Sequence, residues 1–462
     1  MIFDRIKPLD AILANAERKG LKRELGAFQL VMLGIGAIIG TGIFVLTAEA
    51  AQKAGPGMMA SFVIAGFVCG VTALCYAELA SMVPVSGSAY TYSYAVLGET
   101  VAWMVGWALI LEYAIAASAV CVGWSKYAVG LIESVLGIDL PSTLTAGLFD
   151  GGVINLPAVF IGVLVTLMLV RGTRESAMLN AALVVVKLLA LVMFIMLTLP
   201  VIDDRNFRPF APLGTPGIIG AAASIFFAYV GFDAVSTAAE ETRNPQRNLP
   251  IGILGGLAVC TLIYVVVGAV LTGMVPYQQL AVADPLARAL EIAGFTTVGW
   301  IVALGAAVSM SAVLLVFQYG QPRIFFAMAR DGLLPAWAAK VNPVTRVPST
   351  TTLLTGIVVA VAAAVGDAAE TYDLTNIGTL FAFAIVSIGV VVLRVVEPER
   401  HRPFRVPLVW VVGPLGALAC AFIMAGLPVQ AWERFGLWLG LGLIVYLGYG
   451  ARHSRLRQSP PA

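Results

Sequence analysis

Glu112, Lys187 and Asp233 each lie inside a long apolar run of the chain. An ionisable side chain at that depth in hydrocarbon costs about 3 kcal/mol or more, so it faces a cavity, a partner or a transported ion. Glu112 stands thirteen residues from either end of its run, too deep to snorkel. It serves either a binding pocket or proton path, or a structural hydrogen bond. Asp233 follows Gly231-Phe232 and either caps a helix or touches a ligand. Lys187 lies about ten residues into its run, roughly 10–15 Å along a helix axis. Its stem either snorkels to the interface or holds the ammonium inside.

The backbone offers a second chemistry. The string Gly34-Ile35-Gly36-Ala37-Ile38-Ile39-Gly40-Thr41-Gly42-Ile43-Phe44 carries four glycines in nine residues. Each glycine costs a helix about 1 kcal/mol relative to alanine. A glycine and a carboxylate likewise interrupt Phe226-Phe227-Ala228-Tyr229-Val230-Gly231-Phe232-Asp233. A helix broken inside a bilayer frees amides and carbonyls, which is tolerated where they line a cavity and meet a polar ligand. Free amides attract a carboxylate and free carbonyls an ammonium, so a site offering both suits an α-amino acid. The competing reading is close helix packing, since Gly36 and Gly40 also form a small-xxx-small face.

Other chemistries are poorly supplied. Cys69, Cys75, Cys121, Cys260 and Cys420 all sit in apolar runs without metal-ligand spacing, as small buried hydrophobes do. The two histidines, His401 and His453, fall in polar connections. No catalytic residues, metal site or cofactor is expected, and no nucleophile–base constellation points to an enzyme.

The elements that position these groups follow from composition. Of 462 residues 60% are hydrophobic and only 12% charged, about half the charge of an ordinary soluble domain. One soluble chain could not bury that much apolar surface, whereas a bilayer takes it directly. The net charge of +2, with no basic patch interleaved with aromatics, excludes nucleic acid as a partner. Runs long enough to cross a hydrocarbon core are expected near 27–51, 58–83, 99–125, 154–171, 177–200, 217–240, 250–274, 297–322, 349–367, 376–395, 407–428 and 435–451. The fold class is thus all-α integral membrane, with twelve transmembrane helices.

The first 26 residues are charged throughout and lack the short apolar core of a cleavable signal, so the first span is expected to remain. With a cytoplasmic N-terminus, 21 of the 28 lysines and arginines fall on the inner side. Six precede the first span (Arg5, Lys7, Arg18, Lys19, Lys22, Arg23) and three close the chain (Arg452, Arg455, Arg457). Lys53, Lys126, Arg205, Arg208, Arg288 and Arg434 fall outside. That bias places both termini in the cytoplasm of a multi-pass cell-membrane protein. The uncharged, aromatic stretch Val85–Gly98 is expected to lie along the inner surface. The outer connection near 126–153 has room for a short helix at most. Glu78 is expected in a structural or gating pair, and Glu240 and Glu241 beside arginines.

Interrupted spans one and six, five spans apart, indicate two inverted five-helix repeats. The expected units are a cytoplasmic segment 1–26, a first repeat 27–200, a second repeat 217–395, two further spans within 407–451 and a cytoplasmic tail 452–462.

GIGAIIGTGIF, FFAYVGFDAVSTAAEE and the following TRNPQRNLP resemble the amino acid–polyamine–organocation superfamily of transporters. YGQPRIFFAMARDGLLP (319–335) and TNIGTLFAF (375–383) narrow the resemblance to the cationic amino acid transporter family, especially its bacterial ApcT-like permeases. The likeness runs from about Glu24 to Arg452.

The resemblance implies the LeuT-like five-plus-five fold, with alternating access around a midplane site. Gly40 lies at the first break, and the family places the amides of Thr41 and Gly42 on the substrate carboxylate. The carbonyls of Ile38, Phe227 and Val230 would receive the α-ammonium, and Phe227 would also gate the pocket. Ala116 and Phe317 would line the side-chain compartment, with Glu112 and Asp233 among the substrate-binding residues. Lys187 would occupy the place of sodium in sodium-coupled relatives, making protons the coupling ion. Secondary active uptake of L-amino acids is therefore expected; a same-fold exchanger and a non-transporting sensor are the alternatives. Phe317 puts bulk where a long cationic side chain would need room, which leaves cationic and small neutral substrates both open. The partners implied are the amino acid and the lipid bilayer, with a small membrane accessory subunit left unspecified.

Overall fold

Glycine and proline set where the apolar runs become helices. The computed structural model describes residues 6–7, 9, 12, 25–85, 87–171, 176–343, 345, 347–366 and 368–458, with backbone alone at 176–180, 368–370 and 457–458. The protein is all-helical among these residues, with two isolated bridges and no strand.

The first run forms α1 (Ala27–Ile38), the short α2 (Thr41–Phe44) and α3 (Leu46–Ala54). α4 (Met58–Met82) follows the turn at Gly55, and α5 (Ser88–Val96) leads into the 38-residue α6 (Glu99–Leu136). α7 (Leu156–Arg171) and α8 (Ser176–Thr198) complete the first half of the chain. The second half opens with a broken run, α9 (Gly214–Ile225) and α10 (Ala234–Thr237). Next come α11 (Pro245–Met274), α12 (Thr296–Arg330), α13 (Ser349–Val365) and α14 (Ala368–Val396). α15 (Val409–Ala425) and α16 (Val429–Val445) close the bundle.

Eight helical stretches are long and apolar enough to cross a membrane, and four shorter apolar helices correspond to α1, α7, α13 and α15. Each of the twelve expected runs therefore carries a helix. Large apolar side chains stay exposed along the outer faces, among them Leu189, Met196, Leu262, Leu418 and Leu437, as lipid-facing surfaces require. All five cysteines are buried and free.

Three expectations are revised. The third run was expected to end near 125, but α6 continues eleven residues to Leu136, where Gly137 turns left-handed at φ 66°. α12 passes through Pro322 to Arg330 rather than stopping near 322. The stretch Val85–Gly98 was expected to be interfacial, but its helix α5 presents no exposed face: every one of its residues is buried within the protein. Two of its three tyrosines find partners inside, Tyr90 donating to Asp331 (2.8 Å) and Tyr94 to Glu99 (2.9 Å), while the Tyr92 hydroxyl has none among the described residues. Satisfied hydroxyls remove the cost of burying them.

Charged groups cluster at the helix ends. Glu78 of α4 takes Arg394 of α14 at 2.7 Å and Arg402 at 3.2 Å, and Glu241 takes Arg323 at 3.0 Å, as expected of both acids. Lys7 pairs with Asp331 at 2.7 Å. Arg5, Arg18, Lys19, Lys22, Arg23, Arg174 and Arg346, on which part of the charge bias rests, lie outside the described residues.

Candidate functional site

The carbonyls freed at the end of α1 are met by side chains from three other helices. α1 stops at Ile38 because Ile39 and Gly40 are extended; the Ile39 amide still reaches Ile35 O, but the carbonyls after it lose their helical partners. Lys187 of α8 donates to Gly36 O and Ile39 O, both at 2.7 Å. Ser309 of α12 donates to Ile39 O at 2.9 Å. The Tyr264 hydroxyl of α11 lies 2.9 Å from Ile38 O and 2.8 Å from Ala228 O, and so spans both breaks.

The second break turns at Gly231, whose φ of 118° suits glycine. A methyl there would press on Ala37 O at 2.9 Å. Across the gap, a Cβ on Gly42 would overlap the Cα and Cβ of Ala228. Gly42, like Gly231, is therefore a point where the two interrupted runs touch backbone to backbone. The amides at the start of α2, including those of Gly40, Thr41 and Gly42, precede any intrahelical partner. The Thr41 hydroxyl is buried with no hydrogen-bond partner among the described residues.

Ile38, Gly40, Thr41, Gly42, Phe227 and Val230 are thus brought together at the two breaks, all buried. The Phe227 ring lies 4.7 Å from that of Tyr372 on α14. Phe317 of α12 stands edge-on to Tyr113 of α6, with centroids 5.6 Å apart. Ala116 lies one turn further along α6, fully buried.

Asp233 opens α10 at its N-cap position, yet its side chain does not cap the helix. Instead Oδ2 accepts from Tyr113 (3.0 Å) and Ser88 (3.4 Å), while Oδ1 has no partner among the described residues. Glu112 is 1% exposed, and neither of its carboxylate oxygens has a hydrogen-bond partner there. It faces α14 at Gly378, and the neighbouring Thr379 hydroxyl donates to Thr375 O instead.

Sequence reasoning missed Tyr113, Tyr264, Ser309 and Tyr372. Tyrosine and serine inside apolar runs were the available signal, but a polar tip on an apolar body does not announce its partner.

The pattern that defines amino acid permeases matches residues 25–438, all of the spans but the end of the last. The chain belongs to the amino acid permease family. It is a transporter, a multi-pass membrane protein of the amino acid–polyamine–organocation superfamily, and not an enzyme. The permease is 46% identical over 457 residues to the methylthioribose transporter of Bacillus subtilis, covering 98% of this chain and 99% of that one. It is 46% identical over 462 residues to the branched-chain amino acid permease BcaP of Bacillus subtilis, with 99% of each chain covered. Identity to the vacuolar cationic amino acid transporter 4 of Arabidopsis thaliana is 38%, over 86% of this permease and 67% of that protein. The motifs read as a likeness to this superfamily therefore identify it.

Proposed function

We propose that the chain is a proton-coupled uptake transporter of neutral aliphatic L-amino acids. It works by alternating access, with twelve spans, inverted repeats over 27–200 and 217–395, and both termini in the cytoplasm. The observation that carries this reading is Lys187, 0% exposed, with its ammonium on the Gly36 and Ile39 carbonyls. A fixed cation on unwound carbonyls takes the place that a coupling metal ion would take in a broken-helix transporter. No metal is then required, and loss and return of the Lys187 proton supplies the coupling step.

The substrate sits at the breaks. Amides of Thr41 and Gly42 take its carboxylate, carbonyls of Ile38, Phe227 and Val230 take its ammonium, and Phe227 closes over it. Ala116 and Phe317 enclose the side chain, with Glu112 and Asp233 beneath. The aromatic bulk of Phe317 favours short and branched aliphatic side chains, in line with the name of the branched-chain relative. A same-fold exchanger differs in requiring substrate on both faces.

Uptake into proteoliposomes with a labelled panel tests this: alanine, leucine, valine, lysine, arginine and methylthioribose, with and without an imposed pH gradient. Gradient-dependent accumulation of the neutral amino acids is expected. Transport only against internal substrate would establish exchange, and selective uptake of methylthioribose would overturn the substrate class.

A further inference from the structure

Lys187 has a counterpart in the second half of the chain. α9 ends at Ile225, where the run tightens into a 3₁₀ turn over Phe226–Tyr229. Ala223 and Ser224 stand in that last helical turn, where carbonyls run out of intrahelical amides. Asn376 of α14 reaches both, its Nδ2 donating to Ala223 O at 3.1 Å and to Ser224 O at 3.4 Å. Asn376 is 0% exposed, and its Oδ1 has no partner among the described residues. The side chain is placed to donate, since a carbonyl can only accept and so fixes which end of the amide faces it.

The positions along the chain repeat as well. The first run breaks and the fifth supplies Lys187; the sixth breaks and the tenth supplies Asn376. Lys187 lies 151 and 148 residues from its two acceptors, and Asn376 lies 153 and 152 from its own. Gly42 and Gly231, where the broken runs touch, are as far apart in the chain as Lys187 and Asn376. The end of α9 is also held from α3. Lys53 donates to Ser224 Oγ at 2.6 Å, and that hydroxyl donates to Glu49 at 2.8 Å. Glu49 and Lys53, paired with each other at 2.6 Å, are the charged groups that meet α9 there.

We propose that Asn376 is a positioning residue, the second-half equivalent of Lys187, which sets the break that carries Phe227 and Val230. It acts through the end of α9 rather than on the substrate. The two clamps differ in one respect. An ammonium can lose the proton it donates, whereas a carboxamide keeps both of its own. The first break is therefore switchable and the second is fixed, which confines proton coupling to one half of a repeated architecture. This inference rests on the repeats and the substrate site proposed above.

Hydrogen–deuterium exchange of the full-length protein without substrate reads the clamp directly. Asn376→Leu removes the donor but keeps a branched side chain. It should speed exchange over 226–232 about tenfold and leave 39–45 as in the parent. Lys187→Ala should do the reverse. Equilibrium binding of labelled alanine at pH 5 and pH 9 then tests donation. Asn376→Leu should bind about tenfold more weakly than the parent at both. Asn376→Asp is isosteric, and a carboxyl donates only with its proton on. Its affinity relative to the parent should therefore be higher at pH 5 than at pH 9, which keeps the test if the leucine variant does not fold.

Exchange and binding like the parent in Asn376→Leu would overturn the proposal. So would Asn376→Asp weakened equally at both pH values, which marks a need for packing rather than for a donor. An aspartate variant that matches the parent at both, beside a weakened leucine variant, has kept its proton and supports donation. A parent that binds no alanine would fail the substrate reading instead, and exchange over 226–232 would still decide for or against Asn376.

Discussion

The end of α1 and the two acids Glu112 and Asp233, called the floor of the proposed site, answer the same problem in opposite ways. At the break, polar groups exposed by unwinding are backbone carbonyls, fixed in place, and Lys187, Ser309 and Tyr264 reach them from three helices. At the floor the polar groups are side chains, Glu112 and Asp233, and most of their oxygens are unmatched. Backbone dipoles cannot rotate away, so the break must be built to tight tolerance. Carboxylates on single helices can change partners, so the floor has latitude. The break should therefore respond to mutation by failing, and the floor by changing what it accepts.

The sharpest way to break this contrast is Lys187→Ala. It leaves Gly36 O without its donor and removes the only ammonium at the break among the described residues. Accumulation driven by a pH gradient should fall at least tenfold, to the level reached without a gradient, while folded protein persists by size-exclusion chromatography. Accumulation equal to the parent would move coupling to Glu112. Gly42→Val comes next. Its Cβ overlaps Ala228 Cα, and backbone does not step aside as a flexible side chain does. Membrane insertion should be normal and substrate-induced thermal stabilisation absent. Unchanged affinity in a folded variant would show that the two runs need not touch there.

Much of this contrast was legible in the residues themselves, and the missing part has a physical cause. Glycine spacing located both breaks, because glycine is costly in helices and its excess needs a reason. Lys187, Glu112 and Asp233 stood out because charge is costly in apolar runs. For Gly42 the resemblance implied an amide for the substrate carboxylate but not that a side chain there would meet Ala228. α5 looked interfacial because tyrosines favour that boundary, yet internal acids can satisfy the same hydroxyls. Tyr264 was invisible for the complementary reason. Its partners are carbonyls more than thirty residues away in the chain, Ala228 and Ile38, and backbone acceptors leave no mark on a sequence.

Tyr264→Phe sharpens the comparison with a smaller effect. One hydroxyl carries one proton, and it stands between two carbonyls that belong to different breaks. On the proposed binding mode it serves Ala228 when a substrate ammonium serves Ile38. Its removal orphans a buried acceptor at about 1–3 kcal/mol, roughly a five- to 150-fold loss of affinity. The loss should fall on KM for uptake rather than on the amount of folded transporter. An unchanged KM would mean that the breaks are held without the tie.

Phe317→Ser probes the floor side and should have the mildest effect on the amino acids already accepted. The Phe317 ring is 2% exposed and packs edge-on against Tyr113, whose hydroxyl in turn holds Asp233. Replacing it opens space beside the breaks without touching a backbone carbonyl or amide. If, as proposed, alanine and leucine rely on those backbone groups for their common carboxylate and ammonium, their uptake should change by less than about threefold, under 1 kcal/mol. Longer side chains gain room, and the new space opens beside Tyr113, the residue that follows Glu112 on α6. An arginine or lysine entering it would bring a cation toward an acid that has no partner. Competition against labelled alanine should therefore show arginine and lysine becoming inhibitors while neutral competitors keep their order. If the competition profile stays that of the parent across the panel, Phe317 does not border the substrate, and the selectivity of the floor must be sought in Tyr113 or Glu112 instead.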